Sequence, residues 1–332
     1  MLRIQGAIPR QSQSRHESGN GRGSADPAVP DADLIELATA PGHLLRVFQQ
    51  VHTRLWAERV TVELTAPQFS ALSALAQQPG ADQRTVGRLA SLDKATMAEM
   101  VVRLVQRGLL LRRRDPVDGR RKLLSLSPQG ATMLRQAAAT VEEVQELLLA
   151  PLTEEERGRL LEALRAMAES AEESAEAGTE PGEDGREDAA VDESAMRSRT
   201  VGHLIRVAQQ VHTRLWTELV PGELTAPQYA VLVALAEEPG MDQRTLGERA
   251  SLDKATMAEL IGRLVRRGLV LRRRDPADGR RNLLAPSPAG AELLRRVGPG
   301  VREVQERVLD GVPPSAREDA MSLLRRAARL TE

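Results

Sequence analysis

The sequence predicts a mainly α-helical protein built from two copies of one domain, each with a small β-hairpin. Only five of its 332 residues are aromatic, whereas alanine, leucine, arginine and glutamate are abundant, a composition that favours helices over β-sandwiches. An internal repeat at a constant offset of 160 makes residues 43–134 and 203–294 identical at 64 of 92 aligned positions. A period this long indicates two whole domains, because solenoid repeats have periods of roughly 20–50 residues.

Charge is distributed unevenly along the chain, which the net charge of −1 conceals. Residues 84–122 contain eleven basic and four acidic side chains, and residues 244–282 contain eleven and five. Residues 171–198 contain two basic and ten acidic side chains and almost no large apolar residue, so we expect a flexible linker with a reach of about 29 Å. The net charge is therefore no argument against a polyanionic partner, and the two basic blocks require an explanation.

Composition also predicts the domain boundaries and the cellular context. We expect a disordered tail at 1–40, a first domain at 41–170, a linker at 171–198 and a second domain at 199–332. The absence of cysteine excludes disulfides, thiolate metal sites and cysteine-based redox sensing. No apolar run reaches the roughly 20 residues that span a bilayer, and no secretory signal is recognisable, so we expect a cytoplasmic protein that does not bind membranes.

Two helices open the first copy. Residues 43–60 predict an amphipathic helix because apolar side chains recur at helical spacing, at Leu44, Phe48, Val51 and Leu55. Thr65 to Gln68 forms a capping box with a proline in the first turn, and this motif predicts a helix through about Ala76. Pro79 and Gly80 then end that helix.

The following segment predicts two further helices separated by a short turn. Asp82 can cap a helix that runs to about Ala90. Asp93 can cap the next helix, which runs to Arg107 and ends before Gly108. The pair has the order of a helix-turn-helix unit.

A hairpin and two long helices complete the copy. Residues 109–126 alternate around a tight turn at 115–119, the pattern of a β-hairpin. Ser127 begins a helix to about Leu149, and a capping box at 153–156 begins a last helix to about Ser170. The fold class that follows is mainly α with small β wings, as two winged helix-turn-helix domains in tandem.

The two copies differ at positions that predict an asymmetric pair. Val102 and Gln106 correspond to Gly262 and Arg266 in the second copy. Pro286 stands where Leu126 closes the first hairpin, which predicts an edge position for that strand. The sequence Gly-Pro-Gly at 298–300 predicts an interruption of the long helix that is continuous in the first copy.

The helix predicted over 94–107 has an apolar stripe and a second face that can contact DNA. The stripe consists of Met97, Met100, Val101 and Leu104. The candidate DNA-binding residues are Lys94, Ala95, Thr96, Ala98, Glu99 and Arg103, repeated as Lys254, Ala255, Thr256, Ala258, Glu259 and Arg263. Threonine and glutamate can hydrogen-bond base edges, and alanine can contact a thymine methyl group. The alternative is an ordinary solvated helix face.

The predicted hairpin is basic on both sides of its turn. Arginine at a hairpin tip can enter a minor groove and sense its width and negative potential. The candidate contacts are Arg112, Arg114, Asp118, Arg120 and Arg121, repeated as Arg272, Arg274, Asp278, Arg280 and Arg281. The alternative is a charge run that is merely solvated.

Both copies resemble the MarR family of bacterial transcriptional regulators, over about 43–170 and 203–330. The resemblance lies in the sequences LASLDKATM at 89–97, RLVQRGL at 103–109, RDPVDGRR at 114–121 and LSPQG at 126–130. It implies a pseudo-dimer formed within one monomeric chain, and a wing in which Asp118 orients Arg120. It also implies a near-palindromic double-stranded DNA operator, with half-sites roughly 34–36 Å apart.

The resemblance further implies release of DNA by a small anionic or phenolic ligand bound between the dimer helices and the DNA-binding lobe. The candidate ligand-binding residues are His52, Arg54 and Trp56, with His212, Arg214 and Trp216 in the second copy. Histidine beside an indole can hold an aromatic carboxylate, and the arginines can contribute if they point inward. The alternative is that these tryptophans and histidines belong only to the interface core.

No motif of an enzyme or a metal site is present in the sequence. There is no phosphate loop, nucleophile elbow or His-Glu metal motif, and His43 and His52 fall on opposite sides of a helix. We therefore expect a DNA-binding repressor released by a small aromatic acid, with no cofactor. The alternatives are a winged-helix scaffold that binds protein and a repressor that binds DNA constitutively.

Overall fold

The computed structural model describes residues 36, 37, 39–116, 121–176, 200–220, 222–276, 278, 279 and 281–330. The first copy contains α1 (Pro41–Arg59), α2 (Ala66–Gln77), α3 (Gln83–Leu89), α4 (Lys94–Gln106), β1 (Leu110–Arg114), β2 (Lys122–Leu126), α5 (Pro128–Leu149) and α6 (Glu154–Glu176). The second copy contains α7 (Val201–Leu219), α8 (Ala226–Glu237), β3 (Met241–Asp242), α9 (Gln243–Arg249), α10 (Lys254–Arg266), β4 (Val270–Arg274), β5 (Asn282–Pro286), α11 (Pro288–Val308) and α12 (Pro314–Ala327).

These elements confirm the fold class and leave the outer boundaries as predictions. Helix α6 continues to Glu176, beyond the predicted end near Ser170. The predicted N-terminal tail and most of the predicted linker lie outside the described residues. Within the described ranges, no helix combines the length and the apolar character needed to cross a bilayer.

Helices α2, α3 and α4 begin directly after the capping residues that the sequence predicted. Thr65 and Gln68 form a reciprocal capping box at the start of α2. The Asp82 carboxylate accepts from the Thr85 backbone N–H, and Asp93 accepts from two backbone N–H groups at the start of α4. Each cap satisfies donors that a helix N-terminus otherwise leaves unpaired, so local sequence determines where these helices start.

The wings are antiparallel hairpins, and the second one corrects the prediction for Pro286. Strand β1 pairs with β2, whereas β5 lies between β3 and β4 in a three-stranded sheet. The predicted edge position is therefore wrong. Proline is tolerated in this central strand because β3 pairs only with Leu283 and Leu284, so Pro286 lies beyond the end of β3.

Helix α11 corrects the predicted interruption at 298–300. It runs without a break from Pro288 to Val308 and contains Pro299 in its interior. Buried Val297, Val301 and Val304 hold the helix on both sides of the proline, so tertiary packing compensates for the missing backbone hydrogen bond. A side chain at Gly300 would meet the Leu219 carbonyl, so this glycine permits close approach of α7.

A single hydrophobic core joins the two copies. It includes Leu44, Phe48 and Leu160 from the first copy together with Leu204 and Val304 from the second. Helices α1 and α7 pack against each other. Helix α6 packs against α7, α12 packs against α1, and α6 and α12 pack against each other. A separate core, formed by residues between Leu64 and Val141, lies under the helix-turn-helix and wing of the first copy. The chain thus forms a pseudo-dimer in which terminal helices interlock.

Candidate nucleic-acid interface and interface cavity

Helices α4 and α10 expose the same face in both copies. The predicted stripe of Met97, Met100, Val101 and Leu104 is buried. Of the predicted DNA-binding residues on these helices, Ala98 is half-buried and the others are exposed. Since 91–99 and 251–259 have the same sequence, the two exposed faces are chemically identical at their N-terminal ends.

Three predicted DNA-binding residues of α4 already interact within the chain. The Thr96 hydroxyl donates to Asp93 at 2.5 Å, and this bond is the main cause of the lowered pKa of the Asp93 carboxyl. Arg103 pairs with Glu99 at 2.6 Å, and Arg263 pairs with Glu259 in the same way. These ion pairs are more than half exposed, so they contribute little to stability and can exchange for contacts with DNA.

The wing arginines fall into two groups. Arg112, Arg114, Arg272 and Arg274 are exposed on β1 and β4. The predicted tip residues Asp118, Arg120 and Arg280 lie outside the described residues. Asp278, in the turn between β4 and β5 of the second wing, is exposed. The strand arginines thus form an exposed basic surface beside α4 and α10.

Arg121 and Arg281, predicted as DNA contacts, connect the wing to the helix-turn-helix. Arg121 lies 2.8 Å from Asp82, the cap of α3, and Arg281 lies 2.5 Å from Asp242, the cap of α9. Hydrogen bonds from the Thr245 backbone and from Arg281 lower the pKa of Asp242 to about 2. The sequence did not indicate this pairing, because the partners are 39 residues apart.

A cavity of about 310 Å³ lies between the first copy and the second copy. Its volume is at the lower end of the usual range for ligand sites. The first copy contributes His43 and Arg46, and the second contributes His212, Trp216 and Tyr229. Of the described residues that line the cavity, Arg46 alone carries a full charge, because both histidines are neutral at pH 7.

Burial determines the charge state of these histidines. Burial, followed by the nearby Arg46 guanidinium, lowers the pKa of His43 to about 3 and that of His212 to about 4. The Nδ1 atom of His212 and the Oε1 atom of Gln209 are buried and make no hydrogen bond to any described residue. The lining therefore combines one cation, aromatic surface and unpaired polar atoms, a set that suits a small anionic aromatic molecule.

Arg46 also connects the cavity to the DNA-binding unit of the other copy. Its guanidinium donates to the carbonyl oxygens of Ala250 at 2.6 Å and Ser251 at 2.9 Å, and it contacts His43 Nδ1 at 3.0 Å. Ser251 has a φ of 50°, an unfavourable value for serine, in the turn that leads into α10. Arg206 repeats these contacts with Ala90 and Ser91 of the first copy.

Two candidate ligand-binding arginines do not meet the condition that they point inward. Arg54 is exposed, Arg214 is half-buried, and neither lines the cavity. Position 54 is two residues after His52, which places it about 200° around the helix and away from the cavity. His43, Arg46 and Tyr229 were missed. His43 and Arg46 reach the cavity of Trp216 through packing between the copies, and Tyr229 contacts Trp216 through packing within the second copy.

The predicted pair His52 and Trp56 lies at the corresponding place in the first copy. Their ring centroids are 5.8 Å apart, against 5.7 Å for His212 and Trp216. A cavity of about 220 Å³ near this pair is lined by Phe69, Ser70 and His203, among others. That lining does not include His52, Trp56 or Arg206.

The sequence is similar to known regulators over both copies. The MarR family profile matches residues 64–122 and 224–281. Transcriptional regulator HosA of Escherichia coli is 39% identical over 132 residues, which cover 40% of this chain and 96% of HosA. The HTH-type transcriptional repressor NicR of Pseudomonas putida is 33% identical over 132 residues, 40% of this chain and 84% of NicR.

A solved structure is similar to this chain over about the same length as these relatives. The crystal structure of the PcaV transcriptional regulator from Streptomyces coelicolor in complex with its natural ligand is 44% identical in sequence. The alignment covers 42% of this chain and 98% of PcaV, with a TM-score of 0.40. Each of these matches has about the length of one copy.

Proposed function

This chain belongs to the MarR family, and we propose on that premise that one chain acts as a complete transcriptional repressor at one near-palindromic operator. The observation that carries the proposal is the pair of identical exposed recognition faces, at Lys94–Glu99 and Lys254–Glu259, joined by one hydrophobic core. A homodimer would present the same two faces by symmetry. The relative NicR is itself named a repressor, which supports repression over activation.

The DNA contact is proposed to combine base reading by α4 and α10 with backbone contact by the wings. Residues at the N-terminal end of a recognition helix reach base edges in the major groove. The exposed arginines of β1 and β4 supply positive charge for phosphates and for the adjacent minor groove. Arg121 and Arg281 support this contact by connecting each wing to the capped helix beside it.

The proposed effector is a small aromatic carboxylic acid that binds in the interface cavity. The Arg46 guanidinium offers charge-assisted hydrogen bonds to a carboxylate, and Trp216 and Tyr229 offer ring surface. Because His43 and His212 are neutral, the cavity carries about one positive charge, which suits a monoanion better than a dianion.

Ligand binding is proposed to weaken DNA binding through Arg46. A bound carboxylate competes with the carbonyl oxygens of Ala250 and Ser251 for the same guanidinium. Loss of these bonds removes support from the strained turn at Ser251, three residues before α10 begins. The ligand thereby favours a conformation in which α10 no longer fits its half-site, as differential binding to two states requires.

A fluorescence-anisotropy titration onto DNA from upstream of the gene tests the DNA function. We expect one chain per site, affinity in the nanomolar range and a steep loss of affinity as salt rises. Binding of two chains per site would contradict the single-chain repressor. An absence of salt-dependent specific binding to any upstream or selected DNA would favour the protein-binding scaffold.

A further inference from the structure

The two copies differ at parts of their shared interface, although 64 of their 92 aligned positions are identical. We propose that the two ligand sites are unequal, and that a phenolic carboxylic acid binds at one site per chain, the cavity lined by Arg46 and Tyr229. This inference rests on the ligand part of the proposed function and deepens it. It concerns the stoichiometry and chemical preference of the site.

The first difference is the aromatic residue that contacts tryptophan. Tyr229 packs edge-on against Trp216, with ring centroids 5.6 Å apart. Phe69 packs in the same way against Trp56, at 5.9 Å. The substitution adds a phenolic hydroxyl, both donor and acceptor, to the lining of one site only. A site with such a hydroxyl can distinguish a hydroxylated ring from a bare one.

The second difference concerns the histidine from the opposite copy. The His203 Nε2 atom lies 3.3 Å from the Ser91 hydroxyl, so this ring is already engaged on both sides, by Ser91 and by Arg206. In the described part of the chain, the His43 ring hydrogen-bonds only Arg46, through Nδ1. The cavity near Tyr229 therefore retains a histidine nitrogen that can bind a ligand.

The third difference is the enclosure of the two sites. Leu37 and Ala40, which precede α1, are buried and line the cavity near Tyr229. Trp216 is 7% exposed there, whereas Trp56 is half-buried. The cavity of the first copy extends towards Ser73 and Gln77 on α2 and does not reach Arg206. Only the cavity near Tyr229 thus combines arginine, tryptophan and phenol in one lining among the described residues.

Isothermal titration calorimetry of the full chain with 3-hydroxybenzoate, 4-hydroxybenzoate and benzoate tests the inference. We expect one site per chain for at least one hydroxybenzoate, with at least tenfold weaker binding of benzoate. The fold loss of hydroxybenzoate affinity in Arg46→Ala is expected to be at least ten times the loss in Arg206→Ala. The two variants are matched, because each removes the same backbone contacts from the opposite copy.

A conservative exchange separates the ligand role of Tyr229 from folding. Tyr229→Phe gives the second copy the residue of the first copy, and we expect it to reduce the preference for hydroxybenzoate over benzoate to less than threefold. Two equal sites, or equal losses in Arg46→Ala and Arg206→Ala, would overturn the inference and leave ligand regulation standing. If neither hydroxybenzoate binds at all, the ligand part of the proposed function fails with it, whereas operator binding is judged independently by anisotropy.

Discussion

His52 and His212 illustrate how a single side chain serves the contact between the copies. Each ring lies against the first turn of the opposite copy's leading helix, where a methyl group at Gly202 or Gly42 would overlap it. Both rings are buried, and neither Nδ1 atom hydrogen-bonds a described residue. Burial, followed by the guanidinium of Arg206 or Arg46, lowers the pKa of each histidine to about 4. The interface is therefore built for neutral imidazole.

Stability is expected to fall as the pH decreases from 7.5 to 5.0. Because the folded pKa lies below the unfolded value of 6.5, the unfolded chain binds more protons in this window, and stability rises with pH. Each histidine accounts for about 2 kcal/mol of the loss at pH 5. Urea unfolding at pH 7.5 and pH 5.0 measures this loss of stability. The double variant His52→Gln with His212→Gln should show a smaller difference between the two pH values. An unchanged difference in that double variant would contradict this assignment.

The wing strands show how an element can contain residues of different roles in adjacent positions. On β1 and β4 the arginines are exposed and project from the hairpin, whereas Leu110 and Val270 at the start of each strand are buried in the core. Arg121, just before β2, pairs instead with Asp82. In the sequence all these arginines belong to one basic run. The ion pair with Asp82 is the observation that separates Arg121, which supports the wing, from the exposed arginines that can contact DNA.

Replacement of both Arg114 and Arg274 by alanine is expected to lower the affinity for the operator and also to make that affinity less dependent on salt. Two lost phosphate contacts should reduce the slope of log K against log salt by about 1.8. Both side chains are exposed, so the free energy of unfolding should change little. Arg302→Ala is the control. The start of α11 adjoins the wing, and Arg302 lies about 21 Å along the helix from that end. An unchanged slope in the double variant would remove these positions from the interface.

The pseudo-dimer as a whole depends on close approach between helices of the two copies. Gly42 has no room for a side chain because the His212 ring lies directly above it, and Gly202 has none because of His52. Gly158, in contrast, lies exposed on α6 with open space around it. The same substitution should therefore have opposite effects at the two kinds of position.

Gly42→Ala is expected to destabilise the chain by about 1–3 kcal/mol, the usual cost of overpacking. Gly158→Ala should instead stabilise it by about 0.5–1 kcal/mol, because alanine is favoured over glycine within a helix. Equilibrium unfolding in urea measures both variants. Equal effects at the two positions would show that the contact between Gly42 and His212 does not contribute to assembly.

Local signals in the sequence determined much of this protein. Capping residues such as Thr65, Asp82 and Asp93 mark helix starts, and the repeat at an offset of 160 by itself indicates two domains. These features depend on residues within a few positions of each other, or on direct comparison of the copies. The exposed faces of α4 and α10 follow from the same local periodicity.

Tertiary structure decided what depends on residues distant in the chain. Arg46 reaches Ala250 more than 200 residues away, and the cavity lies where α1 of the first copy meets α7, α8 and α11 of the second. Packing also keeps α11 continuous through Pro299, against the local preference of proline. Propensity and capping act within a turn or two of helix, whereas a ligand site at an interface requires two surfaces whose complementarity no short stretch of sequence encodes.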